Sequence, residues 1–386
     1  MIGPIQIKEA IASRKLHFWY QPKVSFLSGR ICGCEALIRW RTDDGTILPP
    51  SEFLPQVEKA GMMTAIAQHM FTELCIDIPS IIDAMPEIEV SFNLTAQDLE
   101  HPGMIGQIKD AIANNVIQAR NLQIELTETA IPKNQNDMLR GIQSLLDMGV
   151  QLAMDDFGTG YSSLDALHRL PFDVLKIDQS VIKGLPTSVG CAVIVNASIR
   201  MAYEMGLTVV AEGVETEAIF EHLLNTGCTQ GQGYFISKPL PLGKFMAFLG
   251  KGHSWITFPF GLIRHAEIDH VQWRKTVLEV ALSHGRPVIE NENIIAHASG
   301  EHCRFGRWLT ENGGLFSVDK RMRELVRTHT AVHNDALHLL ERAKSNINPN
   351  ELLSITSAFS ARSDVLLHQL QELALHSMLQ HFKKAA

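Results

Sequence analysis

The 386-residue sequence predicts an α/β barrel of eight strands, one of them reversed, followed by an all-helical bundle. Three observations carry this. Up to about residue 250, short apolar runs alternate with amphipathic helical stretches, the signature of strands and helices taken in turn. The first two runs are joined only by FLSGR, too short for a crossover helix, so they form a hairpin and one barrel strand runs antiparallel. From residue 262 onward the apolar spacing is heptad-like over about four helices, which implies a bundle.

In order, the strand runs are 16–24, 31–40, 88–95, 122–128, 151–157, 174–178, 207–214 and 233–236. Helical stretches such as MTAIAQHMFTELCIDI lie between most of them, and Gly149 is placed to end the helix that closes at Met148. The expected architecture is therefore a modified TIM-type (β/α)8 barrel over residues 1–250. HSWITFPFG, with its aromatics, proline and glycine, breaks the pattern, so residues 251–261 read as a linker and 262–386 as the bundle.

Composition is that of a globular chain, 45% hydrophobic and 20% charged, with a formal net charge of −8. That charge argues against a nucleic-acid polymer as partner. No run is long and apolar enough to span a membrane and no signal peptide is found. The six cysteines form no secreted-type framework, so a reduced, cytoplasmic setting is expected. Cys32 and Cys34 alternate along a strand and read as packing residues.

Polar residues recur at one position in the repeat. Gln21, Glu35, Asn93, Glu125, Asp155 with Asp156, Lys176 and Glu212 fall near the ends of different strands, and Gln232 at the start of the last. A barrel gathers strand C-termini on one face, where such folds keep their chemistry. Asp155 and Asp156 are adjacent, and side chains alternate faces along a strand, so both reach one pocket only where the strand ends. Carboxylates with one amide and no histidine select a hard divalent cation, magnesium or manganese. This many acids favours two cations, which about 3.5–4 Å apart suit phosphodiester hydrolysis. Taken singly, Arg39 reads as a surface ion-pair partner and Lys176 as a partner of Asp178. Asp178 reads equally as a substrate contact or as support for one, and Tyr161 and Leu164 as loop packing.

EALIRW (35–40), NLT (93–95), ELTE (125–128), DDFGTGYSSL (155–164), LKID (175–178), AEGVE (211–215) and QGY (232–234) together resemble the EAL family of cyclic-di-GMP phosphodiesterases, over nearly all of residues 10–245. The resemblance implies hydrolysis of cyclic di-GMP to linear pGpG in a barrel with one antiparallel strand. By motif position, Glu35, Asn93, Glu125 and Asp155 would hold one metal and Asp155 with Asp156 the second. Glu212 and Lys176 would position or deprotonate the attacking water. Gln21, Arg39, Asp178 and Gln232 would meet substrate, and Glu128 would order the loop after DDFGTG, which also serves a homodimer interface. Thr95, Val181 and Thr229 depart from the family pattern, and none matches a ligand. An active enzyme is expected. The alternative is a catalytically silent receptor that holds cyclic di-GMP and signals through the bundle, and a third reading is a zinc-storage or scaffolding protein with an idle barrel.

Residues 262–386 carry 11 of the 17 histidines. His329 and His333 are four apart and share a helix face. With His270 and Cys303 they would make three imidazoles and a thiolate, a closed tetrahedral zinc set. His297, His302 and His338 compete for a place in it. His265, His284, His368, His376 and His381 read as surface residues, Trp273 and Trp308 as core. DHVQW (269–273), CRFGRWL (303–309) and HTAVH (329–333) resemble the CZB family of zinc-binding sensor domains, which implies zinc on those four residues and a homodimer. A thiolate ligand leaves oxidant sensing open beside zinc sensing.

Overall fold

The computed structural model describes residues 3–127, 136–158, 163–255, 260–283, 303, 305, 306, 309, 320–345 and 348–385. The chain divides into two compact units, Met1–Thr257 and Phe258–Ala386. The second contains the bundle and the end of the 251–261 stretch.

The first unit is a closed barrel. Its strands are β1 (Leu16–Ser25), β2 (Ile31–Arg41), β4 (Glu89–Asn93), β5 (Leu122–Thr127), β6 (Gln151–Phe157), β7 (Val174–Ile177), β8 (Thr208–Ala211) and β9 (Gln230–Gln232). Each pairs with the next in that order, and β9 closes the ring on β1. β1 is antiparallel to both its neighbours, and every other pair in the ring is parallel. The reversal follows from the tight β1–β2 turn, where Gly29 adopts φ +67° and Ser25 N–H donates to Arg30 O at 2.9 Å.

Two strands depart from the sequence expectation. The last is Gln230–Gln232, not 233–236, so Gln232 ends it rather than starting it. A Cβ at Gly233 would lie 2.2 Å from the carbonyl oxygen of Val214, so only glycine fits where the chain turns over that segment. The β1–β2 hairpin also overshoots the barrel. Ring pairing on β2 ends at Glu35↔Ser91, while β1 and β2 continue paired out to Leu16↔Trp40. Gln21 and Glu35 therefore sit in mid-strand yet at the level of the rim. Short β3 (Ile47–Leu48) and β10 (Leu240–Pro241) flank this overshoot.

The helices bury apolar faces against the barrel, as Ile66, Met70, Phe71, Leu74, Ile78 and Ile81 do from Met63–Ala84. Inside the barrel, buried Lys23 donates to Ser91 Oγ at 2.6 Å and Gln123 Oε1 at 3.0 Å.

The second unit shows three long helices among its described residues, Phe260–Leu282, Lys320–Lys344 and Pro349–Ala385. Val277, Leu325, Val332, Leu339, Phe359 and Leu366 fill the space between them. Asn348 accepts from Asn350 N–H at 2.9 Å and Pro349 opens the last helix, a cap followed by a proline at the first helical position. His284, His297, His302 and Trp308 lie outside the described residues, as do the side chains of His265, His376 and His381.

Candidate active site and metal centre

The strand ends converge on Lys176. Register sets this up: Asn93 lies beside Glu125, Thr127 beside Asp155, and Lys176 beside Val210, just below Glu212. Lys176 is fully buried, and its ammonium lies 2.6 Å from Glu125 Oε2, 2.7 Å from Glu212 Oε1, 3.0 Å from Asp155 Oδ1 and 3.8 Å from Glu35 Oε2. Its partners are these four acids, not Asp178. Asn93 donates to Glu35 Oε1 at 2.9 Å, and Gln232 donates to Glu35 Oε2 at 2.7 Å and Gln21 Oε1 at 3.1 Å. Gln21 in turn donates to Ser237 O at 3.2 Å. Ser237 carried no sequence signal, because its contribution is a backbone carbonyl.

A bulge explains how adjacent Asp155 and Asp156 can both face the rim. Between Met154 and Phe157 the β6–β7 register shifts, and Asp156 adopts φ +59°. The extra residue redirects a side chain that a regular strand would turn away, and aspartate tolerates the left-handed region better than most residues. Asp178 caps the helix Gln179–Lys183 by accepting from Ser180 N–H at 2.8 Å. Arg39 sits on the overshooting hairpin, 5.6 Å over the Trp19 ring, and donates to Ile38 O at 2.8 Å. Among the described residues it pairs with no carboxylate. Leu164 is exposed at 65%, which the loop-packing reading did not anticipate. Glu128 and Tyr161 lie outside the described residues.

The electrostatics show a surplus of acid. Burial, with Glu35 and Asp155 adding to it, pushes Glu125 up to about 7 against the pull of Lys176. Burial, then Asp155 and Asp178, push Asp156 to about 6. Burial also carries Glu212 well above the carboxylate range. Glu35 goes the other way: burial opposes its ionisation, but Lys176 and the Gln232 and Asn93 amides outweigh it. Burial disfavours the Lys176 ammonium, yet the four carboxylates hold its pKa well above normal. One lysine does not balance this set. Among the described residues, buried Glu125 Oε1 has no hydrogen-bond partner. An orphaned carboxylate oxygen among raised acids is what a divalent cation would satisfy, so the donor set fits a hard metal.

In the second unit, Cys303, His329 and His333 offer ligand atoms all within 4.8 Å of one another. Cys303 Sγ is 3.1 Å from His329 Nε2 and accepts from Gly306 N–H at 3.1 Å. The Phe305 ring packs edge-on against His329, and Trp273 lies 4.5 Å from His333. Burial lowers His329 to about 3 and His270 to about 4, keeping both imidazoles neutral, the form that binds metal. His270 is buried beside this group but not gathered into it. Its Nε2 lies 2.7 Å from Ser363 Oγ. His338 is not in the group either. A thiol and imidazoles at this spacing fit zinc.

With this geometry in place, the relatives are informative. A family model described as "EAL domain" matches residues 6–239. This chain belongs to the EAL domain family. A second model, "Chemoreceptor zinc-binding domain", matches residues 270–340, so the EAL domain is N-terminal and the zinc-binding domain C-terminal. Similar curated proteins include the bifunctional diguanylate cyclase/cyclic di-GMP phosphodiesterase MucR of Pseudomonas aeruginosa, 35% identical over 62% of this chain and 35% of its own length. Another is the cyclic di-GMP phosphodiesterase NbdA of the same organism, 36% identical over 63% of this chain and 31% of its own. The chain thus spans about a third of the length of the curated relatives it matches. Among solved structures, the MucR phosphodiesterase in complex with c-di-GMP superposes with a TM-score of 0.59 at 34% identity, covering 62% of this chain and 98% of that one. The EAL enzyme Bd1971, bound to cAMP and cyclic di-GMP, gives 0.61 at 27% identity over 64% and 67%. Among the described residues no helix is long and apolar enough to cross a membrane.

Proposed function

We propose that this chain is a metal-dependent phosphodiesterase that opens cyclic di-GMP to linear pGpG, under the control of a zinc-binding C-terminal domain. The observation that carries the reading is the convergence of Glu35, Asn93, Glu125, Asp155 and Glu212 on one buried rim, with Glu125 Oε1 unpartnered. That relatives of this family are named as cyclic di-GMP phosphodiesterases supports the substrate.

Glu35, Asn93, Glu125 and Asp155 would hold one magnesium or manganese ion, and Asp155 with Asp156 the other. Bound there, the ions would acidify water and neutralise phosphate oxygens. Lys176 keeps the acids at fixed spacing. Glu212, held 2.7 Å from the Lys176 ammonium, would take the proton of the attacking water. Gln232 and Gln21 hold Glu35 in orientation, and Arg39 offers its planar fork to a phosphate. Asp178 supports substrate through the capped segment below Asp156. The water oxygen forms a new P–O bond, one ester P–O bond breaks, and the alcohol leaves protonated. A cytoplasmic setting is part of the proposal, and free thiols are consistent with it.

Homodimerisation is part of the proposal. Val189, Val193 and Ile194 expose an apolar strip on the helix Val189–Glu204 that a second copy would cover. His270, Cys303, His329 and His333 would hold zinc, with zinc occupancy or thiol oxidation as the signal. The test is turnover of cyclic di-GMP by the full chain with magnesium or manganese, with zinc present and stripped. We expect pGpG from the wild type, none from Glu35→Ala, and a rate that changes with zinc. Binding without turnover would return the receptor reading.

A further inference from the structure

The zinc-binding family match ends at residue 340, yet the structure brings a residue from beyond it against His270. Ser363, on the helix Pro349–Ala385, is fully buried, and its hydroxyl lies 2.7 Å from His270 Nε2. His270 is itself only 6% exposed. A buried imidazole has two nitrogens, and in its neutral form one donates while the other accepts. A histidine that binds a metal commonly donates its second N–H to a fixed oxygen, which sets the tautomer and the ring orientation. No other hydroxyl is seen on either His270 nitrogen among the described residues.

We propose that Ser363 is a positioning residue for the zinc centre: its hydroxyl accepts the Nε2 proton of His270 and leaves Nδ1 as the nitrogen that binds metal. This rests on the zinc reading above. It adds that the last helix is part of the centre. Arg274–Asp364 and Gln371–Glu267 contacts tie the same helix to the one carrying His270, so Ser363 sits within a docked seam rather than on a loose strand of chain. Zinc occupancy and docking of Pro349–Ala385 are then coupled through one hydrogen bond.

The test uses the full chain and zinc itself, with affinity read by competition against a chromogenic chelator. Ser363→Ala is expected to weaken zinc binding by about 10- to 100-fold. In a His270→Ala background, Ser363→Ala should add nothing, which a general packing role would not produce. A measurement without substitution covers the case of a misfolded variant: in the zinc-loaded wild type labelled with 15N-histidine, His270 should show a metal-bound Nδ1 and a protonated Nε2. A wild type that binds no zinc removes the zinc reading and this inference together. Zinc bound with unchanged or higher affinity in Ser363→Ala, or a metal-bound Nε2, overturns this inference alone.

Discussion

The two candidate centres solve opposite electrostatic problems. In the barrel, five acidic side chains are pressed into a buried rim and one lysine stands among them, leaving net negative charge that a cation relieves. In the bundle, burial keeps His270 and His329 neutral, so their desolvation carries little penalty until they protonate. The barrel site is fixed by strand register at many positions, whereas the bundle site depends on one helix face and a single thiol from a separate segment. A centre that is charged by design should respond to loss of a counter-charge, and a neutral one to loss of a ligand or to acid.

The largest expected effect is chemical. Glu125→Gln removes the charge proposed to bind metal at the middle of the rim, and kcat should fall roughly 10³-fold, equivalent to ~4 kcal/mol of barrier, in a steady-state assay at saturating magnesium. Zinc content, measured on the same preparation, should be unchanged. Next is Lys176→Met. Removing one partner from a buried ionic cluster costs roughly 3–5 kcal/mol, so the metal-stripped barrel should melt much lower, with magnesium restoring part of the loss by supplying the missing positive charge. An equal loss with and without magnesium would show that Lys176 acts by packing alone.

The pH response separates the two regions most directly. Glu125 at about 7 and Asp156 at about 6 lie above their ordinary values. The folded barrel therefore binds protons more tightly than the unfolded chain. That stability is full below the ordinary carboxylate range and is lost as pH rises through 6 and 7, by about 3 kcal/mol for Glu125. His270 and His329 lie below theirs. Their contribution is full above pH 6.5 and is lost as pH falls toward 4 and 3. Metal-stripped protein scanned from pH 8 to 4.5 should show the barrel transition moving up and the bundle transition moving down. Parallel movement would break the contrast. The smallest effect is local: Gly227 ends the helix Glu217–Thr226 at φ +84°, and Gly227→Ala should cost ~1 kcal/mol and leave turnover and zinc content alone.

Much of this was legible in the sequence, for reasons that differ by residue. The β1–β2 hairpin showed because FLSGR is too short for anything else. The rim acids showed because each recurs within or just after an apolar run. Lys176 was legible as one of the strand-end set, although LKID taken alone does not distinguish pairing with Asp178 from insertion among four distant acids. The last strand was misplaced because its limit is set by Gly233 meeting Val214, a contact nineteen residues apart in sequence and invisible to local pattern. The bulge at Asp156 was hidden for the same reason: a register shift belongs to two strands. Ser363 sits in an ordinary helical stretch, and only the bundle reveals what it faces.

The positive φ of Asp156 decides how its carboxylate can be interrogated. Alanine there would remove the charge and at the same time burden the main chain with a conformation it disfavours, so a lost activity would have two authors. Asparagine has nearly the same shape and visits that conformation readily, and so isolates the charge. The choice of replacement at this one position determines whether a loss of charge can be told from a collapsed turn.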